Sequence, residues 1–337
     1  MTNVAGASPR SPRIRIDVHN HAMPERALDL LRSDPSYGVK LDGRHWSGGL
    51  HVDFEIVPSF VEPGAKLAEL ESKGLHAAVI SVAPPLFYYH VDAEPAGEAI
   101  SRATNEGLAE FCAADPQRLR WLASVPMQEP GRAVPVLEQA VTAGAVGVEI
   151  GTAVAGRRLD EPEFEPFWSA VEQIGVPVTL HPAYGEHNAA LDAYYFENVL
   201  GFLFETTIAI ERLIVAGVLD RHPDLRIVLL HGGGYFPYQV GRLRHAGTVR
   251  PELEVAPSDP WAYRDRLFFD IITHDPGALA YLIDRAGADR VVIGTDLPFD
   301  MATPDPIGLL EAAASEEEAL VIAERNPAAL YGFPTTG

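Results

Sequence analysis

The chain has 337 residues, of which 47% are hydrophobic and 22% charged, the composition of a globular protein with a sizeable core. Its 26 Lys and Arg against 47 Asp and Glu give a formal net charge of −21, which argues against nucleic acid or an anionic membrane as a partner. The single cysteine, Cys112, excludes an internal disulfide.

Neither a targeting segment nor a membrane span is predicted from the sequence. Residues 1–12 are small, polar and proline-bearing, so we expect a short flexible tail rather than a signal peptide. No run of apolar residues approaches the length of a transmembrane helix. These features predict a soluble cytoplasmic protein.

Short β-branched runs alternate with segments of helical periodicity along the chain. The predicted strands are 14–19, 77–82, 119–125, 146–150, 177–181, 227–231, 267–271 and 291–294. The predicted helices are 65–72, 94–114, 132–142, 162–174, 202–216, 236–245, 276–286 and 315–325. Eight strand-helix units favour an α/β fold of the (β/α)8 barrel type over an open doubly wound sheet, with residues 13–337 forming one domain.

One segment, at about 33–58, interrupts this alternation. Gly48 and Gly49 separate residues 44–46 from residues 51–54, which predicts a small hairpin inserted after the first strand. We expect this insert to act as a lid over the barrel, and the last predicted helix to be a C-terminal addition.

Histidine and aspartate residues stand at the ends of several predicted strands, where barrels of this type carry their chemistry. The first strand ends in His19 and His21, and strict alternation places both on one face with Asp17. Strand five ends in His181, and strand eight leads into Asp296. Three imidazoles and one carboxylate suit zinc or manganese, with water completing the coordination. His231, at the end of strand six, is predicted to be an acid/base residue rather than a ligand.

The order of these motifs resembles the amidohydrolase superfamily, in particular the branch that contains aminocarboxymuconate-semialdehyde, γ-resorcylate and carboxyvanillate decarboxylases. The motifs that carry the resemblance are IDVHNH at 16–21, VPMQ at 125–128, TLHP at 179–182, HGGG at 231–234, GR at 241–242, GTDLPF at 294–299 and RNPAALYG at 325–332. Together they span nearly the whole chain.

The resemblance implies one divalent metal ion per chain, with Zn2+ expected and Mn2+ as the alternative. Its ligands would be His19, His21, His181 and Asp296, and His231 would lie beside the metal-bound water. The bridging lysine of binuclear relatives is absent, because strand four carries Glu149 and the only lysines lie upstream of it. Glu149 remains an alternative bridging ligand, or a hydrogen-bonded pocket residue.

The resemblance also implies a metal-dependent non-oxidative decarboxylase of a small aromatic or dienoic carboxylic acid, in which Asp296 carries a proton to the carbon that loses CO2. The alternative is a hydrolase that cleaves an amide, lactone or imide with metal-activated water. A third possibility is a non-catalytic barrel, which the complete ligand set disfavours.

Four further residues are predicted to contact the substrate: Arg242, Arg250, Phe299 and Trp46. In the family an arginine at the position of Arg250 reaches the neighbouring subunit's site, which implies a homodimer. An arginine that the family carries in the early insert is absent around Asp53–Glu55, where Arg44 is nearby but displaced. This departure favours a substrate other than aminocarboxymuconate semialdehyde.

Overall fold

The computed structural model describes residues 14–48, 53–183, 188–253 and 257–335. The tail predicted at 1–12 lies outside this part of the chain. Eight parallel strands pair in chain order: β1 Ile16–Ala22, β2 Ala77–Val82, β3 Leu119–Ala123, β4 Gly147–Gly151, β5 Val178–His181, β6 Ile227–Leu229, β7 Leu267–Asp270 and β8 Val291–Val292.

Backbone hydrogen bonds link the last strand region back to the first. The Val18 N–H donates to the Ile293 carbonyl at 2.9 Å, and the Asp296 N–H donates to the His19 carbonyl at 2.8 Å. These bonds nearly close the sheet, which confirms the predicted (β/α)8 barrel.

Helices surround the barrel and follow most of its strands. They are α1 Glu25–Ser33, α2 Pro58–Val61, α3 Pro63–Ser72, α4 Glu98–Cys112, α5 Pro130–Thr142, α6 Glu165–Ile174, α7 Leu203–Val215, α8 Val218–Arg221, α9 Phe236–Val249, α10 Pro276–Ala286, α11 Pro306–Ala313, α12 Glu316–Leu320 and α13 Asn326–Tyr331. Proline at the start of several of them fits the first helical turn, whose N–H groups lack partners within the helix. Within the described residues, none of these helices has the length and apolar character needed to cross a membrane.

The insert after β1 is a small antiparallel sheet of three short strands, Val39–Asp42, His45–Gly48 and Phe54–Glu55. The predicted pairing is present, with Trp46 opposite Phe54, while Val39–Asp42 adds a strand that the sequence did not indicate. Gly43, with φ of 62°, supplies the left-handed turn that leads into the middle strand. Of the predicted turn residues, Gly48 ends the middle strand and Gly49 lies outside the described part of the chain.

Strict alternation along β1 is wrong, because the strand contains a bulge. Asp17 pairs with Ala78 and Asn20 with Ile80, so two residues of β1 stand opposite one residue of β2. Because of the bulge, the adjacent residues Val18 and His19 no longer lie on opposite faces of the strand. Val18 packs in an apolar cluster with residues of neighbouring strands, and His19 joins His21 at the site. Asp17 instead accepts hydrogen bonds from Thr295 and Asn20.

Candidate metal centre and active site

Four buried side chains converge beyond the carboxyl ends of the barrel strands. His19 and His21 come from β1, His181 ends β5, and Asp296 follows β8. One potential ligand atom from each lies within 4.8 Å of all the others. The structure thus brings together the four residues that the sequence indicated as metal ligands.

The potential ligand atoms of these side chains face one another closely. The Nε2 atoms of His19 and His21 are 3.1 Å apart. Oδ1 of Asp296 lies 3.0 Å from Nε2 of His21 and 3.3 Å from Nε2 of His19. Nε2 of His181 is buried and has no hydrogen-bond partner among the described residues. A cation shared by these atoms satisfies all of them at once.

Acceptors on the far side of each ring fix the three imidazoles. Nδ1 of His19 lies 2.8 Å from Oδ2 of Asp270, Nδ1 of His21 lies 3.1 Å from the Val82 carbonyl, and Nδ1 of His181 lies 2.5 Å from the Pro182 carbonyl. Such acceptors hold the proton on Nδ1 and leave the Nε2 lone pair free to bind a metal.

Asp270 is a residue that the sequence analysis missed. It lies at the end of β7, is fully buried, and also accepts hydrogen bonds from the N–H groups of Gly232 and Ile272. Its position at the end of a strand could have marked it as a candidate site residue. The predicted strand continued to Ile271, however, so Asp270 was placed inside the strand and not at its end.

The charges of the site favour a cation at its centre. Burial lowers the pKa of His21 to about 4 and holds the pKa of His181 well below its ordinary value. Burial also opposes a charge on His19, but Asp296 and Asp270 outweigh it and raise its pKa to about 10. Burial acts to raise the pKa of Asp296, yet His19 keeps it well below its ordinary value. Because two ionised carboxylates stabilise positive charge here, the four residues fit a divalent metal ion.

A cavity of about 470 Å³ opens onto these ligands. His181 and Asp296 line it together with four phenylalanines, Phe54, Phe60, Phe202 and Phe299. The Phe299 ring centroid lies 5.3 Å from that of His21, so Phe299 is a wall of this cavity, as its sequence position indicated. Further lining residues are acidic, namely Asp53, Glu55 and Asp300.

Trp46 requires a correction, because it is not among the residues that line the cavity. Its side chain is buried, its ring stacks on Phe54 at 6.1 Å, and its indole N–H donates to the Gly48 carbonyl at 3.3 Å. Trp46 therefore lies behind Phe54 and supports it, since the two face each other across the inserted sheet.

His231 lies next to the four potential ligands. Its ring centroid is 5.2 Å from that of His19, and its Nε2 lies 3.9 Å from Oδ2 of Asp296. His231 has φ of 55°, and the glycines at 232, 233 and 234 also adopt positive φ, a range that glycine enters without strain. His231 and Asp296 both line a second cavity of about 330 Å³.

The two arginines predicted to bind substrate lie away from these cavities. Arg242, on α9, and Arg250, which follows α9, are exposed and line neither of them. Nη2 of Arg250 pairs with Oε1 of Glu252 at 2.6 Å. A substrate contact by either arginine remains a prediction, and for Arg250 it is expected in the site of a second subunit.

Glu149 is buried on β4 but does not belong to the group of four ligands. Burial raises its pKa to about 8, against a smaller lowering effect of Ser81. Its carboxyl group is therefore mostly protonated at neutral pH, which disfavours the alternative role of a bridging ligand.

Residues 16–333 match the family model described as Amidohydrolase. The chain is 30% identical over 310 residues to 2-amino-3-carboxymuconate-6-semialdehyde decarboxylase of Dictyostelium discoideum, covering 89% of this chain and 86% of that protein. It is 31% identical over 290 residues to gamma-resorcylate decarboxylase of Rhodococcus jostii, covering 79% of this chain and 86% of that protein.

The fold is also similar to that of 5-carboxyvanillate decarboxylase of Novosphingobium aromaticivorans, solved with manganese and 4-hydroxy-3-methoxy-5-nitrobenzoic acid. That match has a TM-score of 0.79 at 22% identity and covers 95% of this chain and 96% of that one. The chain therefore belongs to the amidohydrolase family, in the branch that contains these decarboxylases.

Proposed function

We propose that this protein is a metal-dependent decarboxylase that converts a small aromatic or dienoic carboxylic acid into CO2 and the protonated product without oxidation. The observation that carries the proposal is the convergence of His19, His21, His181 and Asp296, with His231 beside them, at the carboxyl ends of the barrel strands. The similarity to named decarboxylases supports it.

The ligand set supports a single divalent ion, and three imidazoles with one carboxylate suit Zn2+. Mn2+ is the alternative, in keeping with the manganese in the carboxyvanillate decarboxylase of similar fold. When bound, such an ion would supply a positive charge that holds the substrate's oxygen atoms and offsets negative charge as CO2 leaves.

Asp296 and His231 would handle the proton that replaces CO2. Oδ1 of Asp296 faces the imidazoles of His19 and His21, while Oδ2 faces Nε2 of His231. Loss of CO2 leaves an electron pair on carbon, which must take up a proton. Because Asp296 is ionised in the resting site, a protonated His231 would first pass its proton to Oδ2 of Asp296, which would deliver it to the carbon and complete the new C–H bond. His231 would then regain a proton from solvent, which restores the site.

The cavity walls suit a flat substrate. The Phe60 and Phe299 ring centroids are 5.1 Å apart, and those of Phe54 and Phe299 are 6.4 Å apart. Packed on one another, these rings offer an apolar surface against which an unsaturated ring or chain stacks, which limits the access of water to the reacting carbon.

The test is CO2 release from hydroxybenzoates and carboxymuconate analogues by protein loaded with Zn2+ or Mn2+. We expect release with at least one acid, together with loss of activity in a His181→Ala variant that remains folded. Hydrolysis of amides, lactones or imides, with no CO2 from any acid, would instead establish the hydrolase alternative.

A further inference from the structure

A third and larger cavity, of about 620 Å³, adjoins the metal cavity. The two share Pro84 and Phe202 as lining residues. Pro84 follows β2, and two further lining residues, Thr152 and Ala183, follow β4 and β5. The larger cavity thus opens at the same end of the barrel and beside the ligands, where a substrate can extend into it.

Most of the surface of this cavity suits an apolar ring. Phe87 and Tyr89 stack with their centroids 5.3 Å apart and their planes within 6° of parallel. Both residues are buried, so they form a rigid flat wall. At about 470 Å³ the metal cavity has room for a single-ring acid, so this additional volume suits a second part of the molecule.

An ion pair lies among the polar residues of this lining, which also include His90, Asn188 and Glu197. Nη1 of Arg158 donates to Oε2 of Glu205, and their side chains are 26% and 27% exposed. Among the described residues that line the three cavities, Arg158 is the one arginine and there is no lysine. Its Nε and Nη2 have no hydrogen-bond partner within the described part of the chain, so they are open to a ligand.

The charges here favour a hydroxyl group over a second carboxylate. Arg158 and Glu205 neutralise each other, and Glu197 adds a negative charge to the same lining. A second carboxylate would face repulsion from both glutamates. A hydroxyl group, in contrast, accepts a hydrogen bond from Arg158 and donates one to Glu205.

We propose that this cavity binds a ring-sized apolar extension of the substrate that ends in a hydroxyl group held between Arg158 and Glu205. The inference rests on the proposed function, because that function places the carboxylate to be lost at the metal ligands. Arg158, a residue of the same subunit, then determines the specificity for the end of the substrate that is remote from the metal ligands.

The test measures binding to Mn2+-loaded protein by calorimetry. The probes are salicylate and its derivatives that carry a phenyl, 4-hydroxyphenyl or 4-carboxyphenyl group, joined directly or through one methylene. We expect the 4-hydroxyphenyl compound of the better-fitting length to bind about tenfold or more tightly than its phenyl analogue. Arg158→Gln should abolish that preference and leave salicylate binding unchanged.

Arg212→Gln is the matched control, because Arg212 also pairs with an acid, Asp160, but lines none of the three cavities. It should keep the full preference. Equal binding of the phenyl and 4-hydroxyphenyl compounds, tighter binding of the 4-carboxyphenyl compound, or an unchanged preference in folded Arg158→Gln would each overturn the inference. A hydroxyl preference that depends on Arg158, in a protein that releases CO2 from no acid, would support this site while the proposed function fails.

Discussion

Nδ1 of His19 lies 2.8 Å from Oδ2 of Asp270, and both side chains are completely buried. Asp270 also accepts the Gly232 N–H, which directly follows His231. One carboxylate on β7 therefore orients a potential metal ligand on β1 and the turn after β6.

Replacing Asp270 with Asn should weaken metal binding about 10-fold to 100-fold, because the amide no longer offers a charged acceptor that fixes the His19 ring. Calorimetric titration of metal-free protein with Zn2+ or Mn2+ measures this loss. Asp275→Asn is the control, since Asp275 follows the same strand but caps α10. Equal metal affinity in Asp270→Asn and wild-type protein would show that this contact is not needed.

His231→Asn should leave the metal in place and lower kcat about a hundredfold, the scale expected for a lost proton-transfer residue. Asn is chosen because it tolerates the positive φ of this position. Metal content and steady-state rates are measured on the same sample. Loss of metal would make His231 a ligand, and an unchanged kcat would make it a structural residue.

Removing the carboxyl group of Glu149 should stabilise the protein. Burial raises its pKa from 4.5 to about 8, so the folded state binds more protons than the unfolded state between these values, and stability falls as pH rises through this range. Glu149→Gln removes this cost. Its free energy of unfolding should exceed that of the wild type by about 1 to 3 kcal/mol at pH 8 and by less near pH 5.

Urea denaturation at several pH values measures this difference. Glu138→Gln, an exposed substitution on α5, is the control and should show no such trend. A Glu149→Gln protein that is less stable than the wild type at pH 8 would show that an ionised Glu149 is held by favourable contacts.

The strand ends could be predicted from the sequence, but the finer geometry of the site could not. His181 and Asp296 follow short β-branched runs, which indicated their positions. The bulge at residues 17–20 depends on how β1 pairs with β2, which the pattern of one strand does not contain. For this reason, the prediction that Asp17 shares one face of the strand with His19 and His21 was wrong.

Aromatic and charged side chains were harder to assign than the potential ligands. Phe299 and Trp46 are both buried or partly buried aromatics, and only packing against Phe54 puts Trp46 behind the wall. Arg158 lies in a short hairpin after β4. Nothing in its sequence neighbourhood distinguishes it from the exposed Arg242, because the difference arises from the loops that meet around the cavity.

Arg250 is exposed in the single chain and is predicted to reach the site of a second subunit. If sites are shared in a homodimer, mixing an Arg250→Ala chain with an Asp296→Asn chain should restore part of the activity that each lacks alone. Sedimentation and activity measurements on the mixture test this. A confirmed heterodimer without recovered activity would leave Arg250 serving its own subunit or neither.

Titration of metal-free protein with Zn2+ or Mn2+, with CO2 release measured at each step, tests the central claim most directly. The account predicts that CO2 release from an aromatic or dienoic acid rises with added metal and reaches its maximum at one ion per chain, and that folded His19→Ala protein shows no such rise. A maximum reached only at two ions per chain, or CO2 release that is independent of metal, would contradict it.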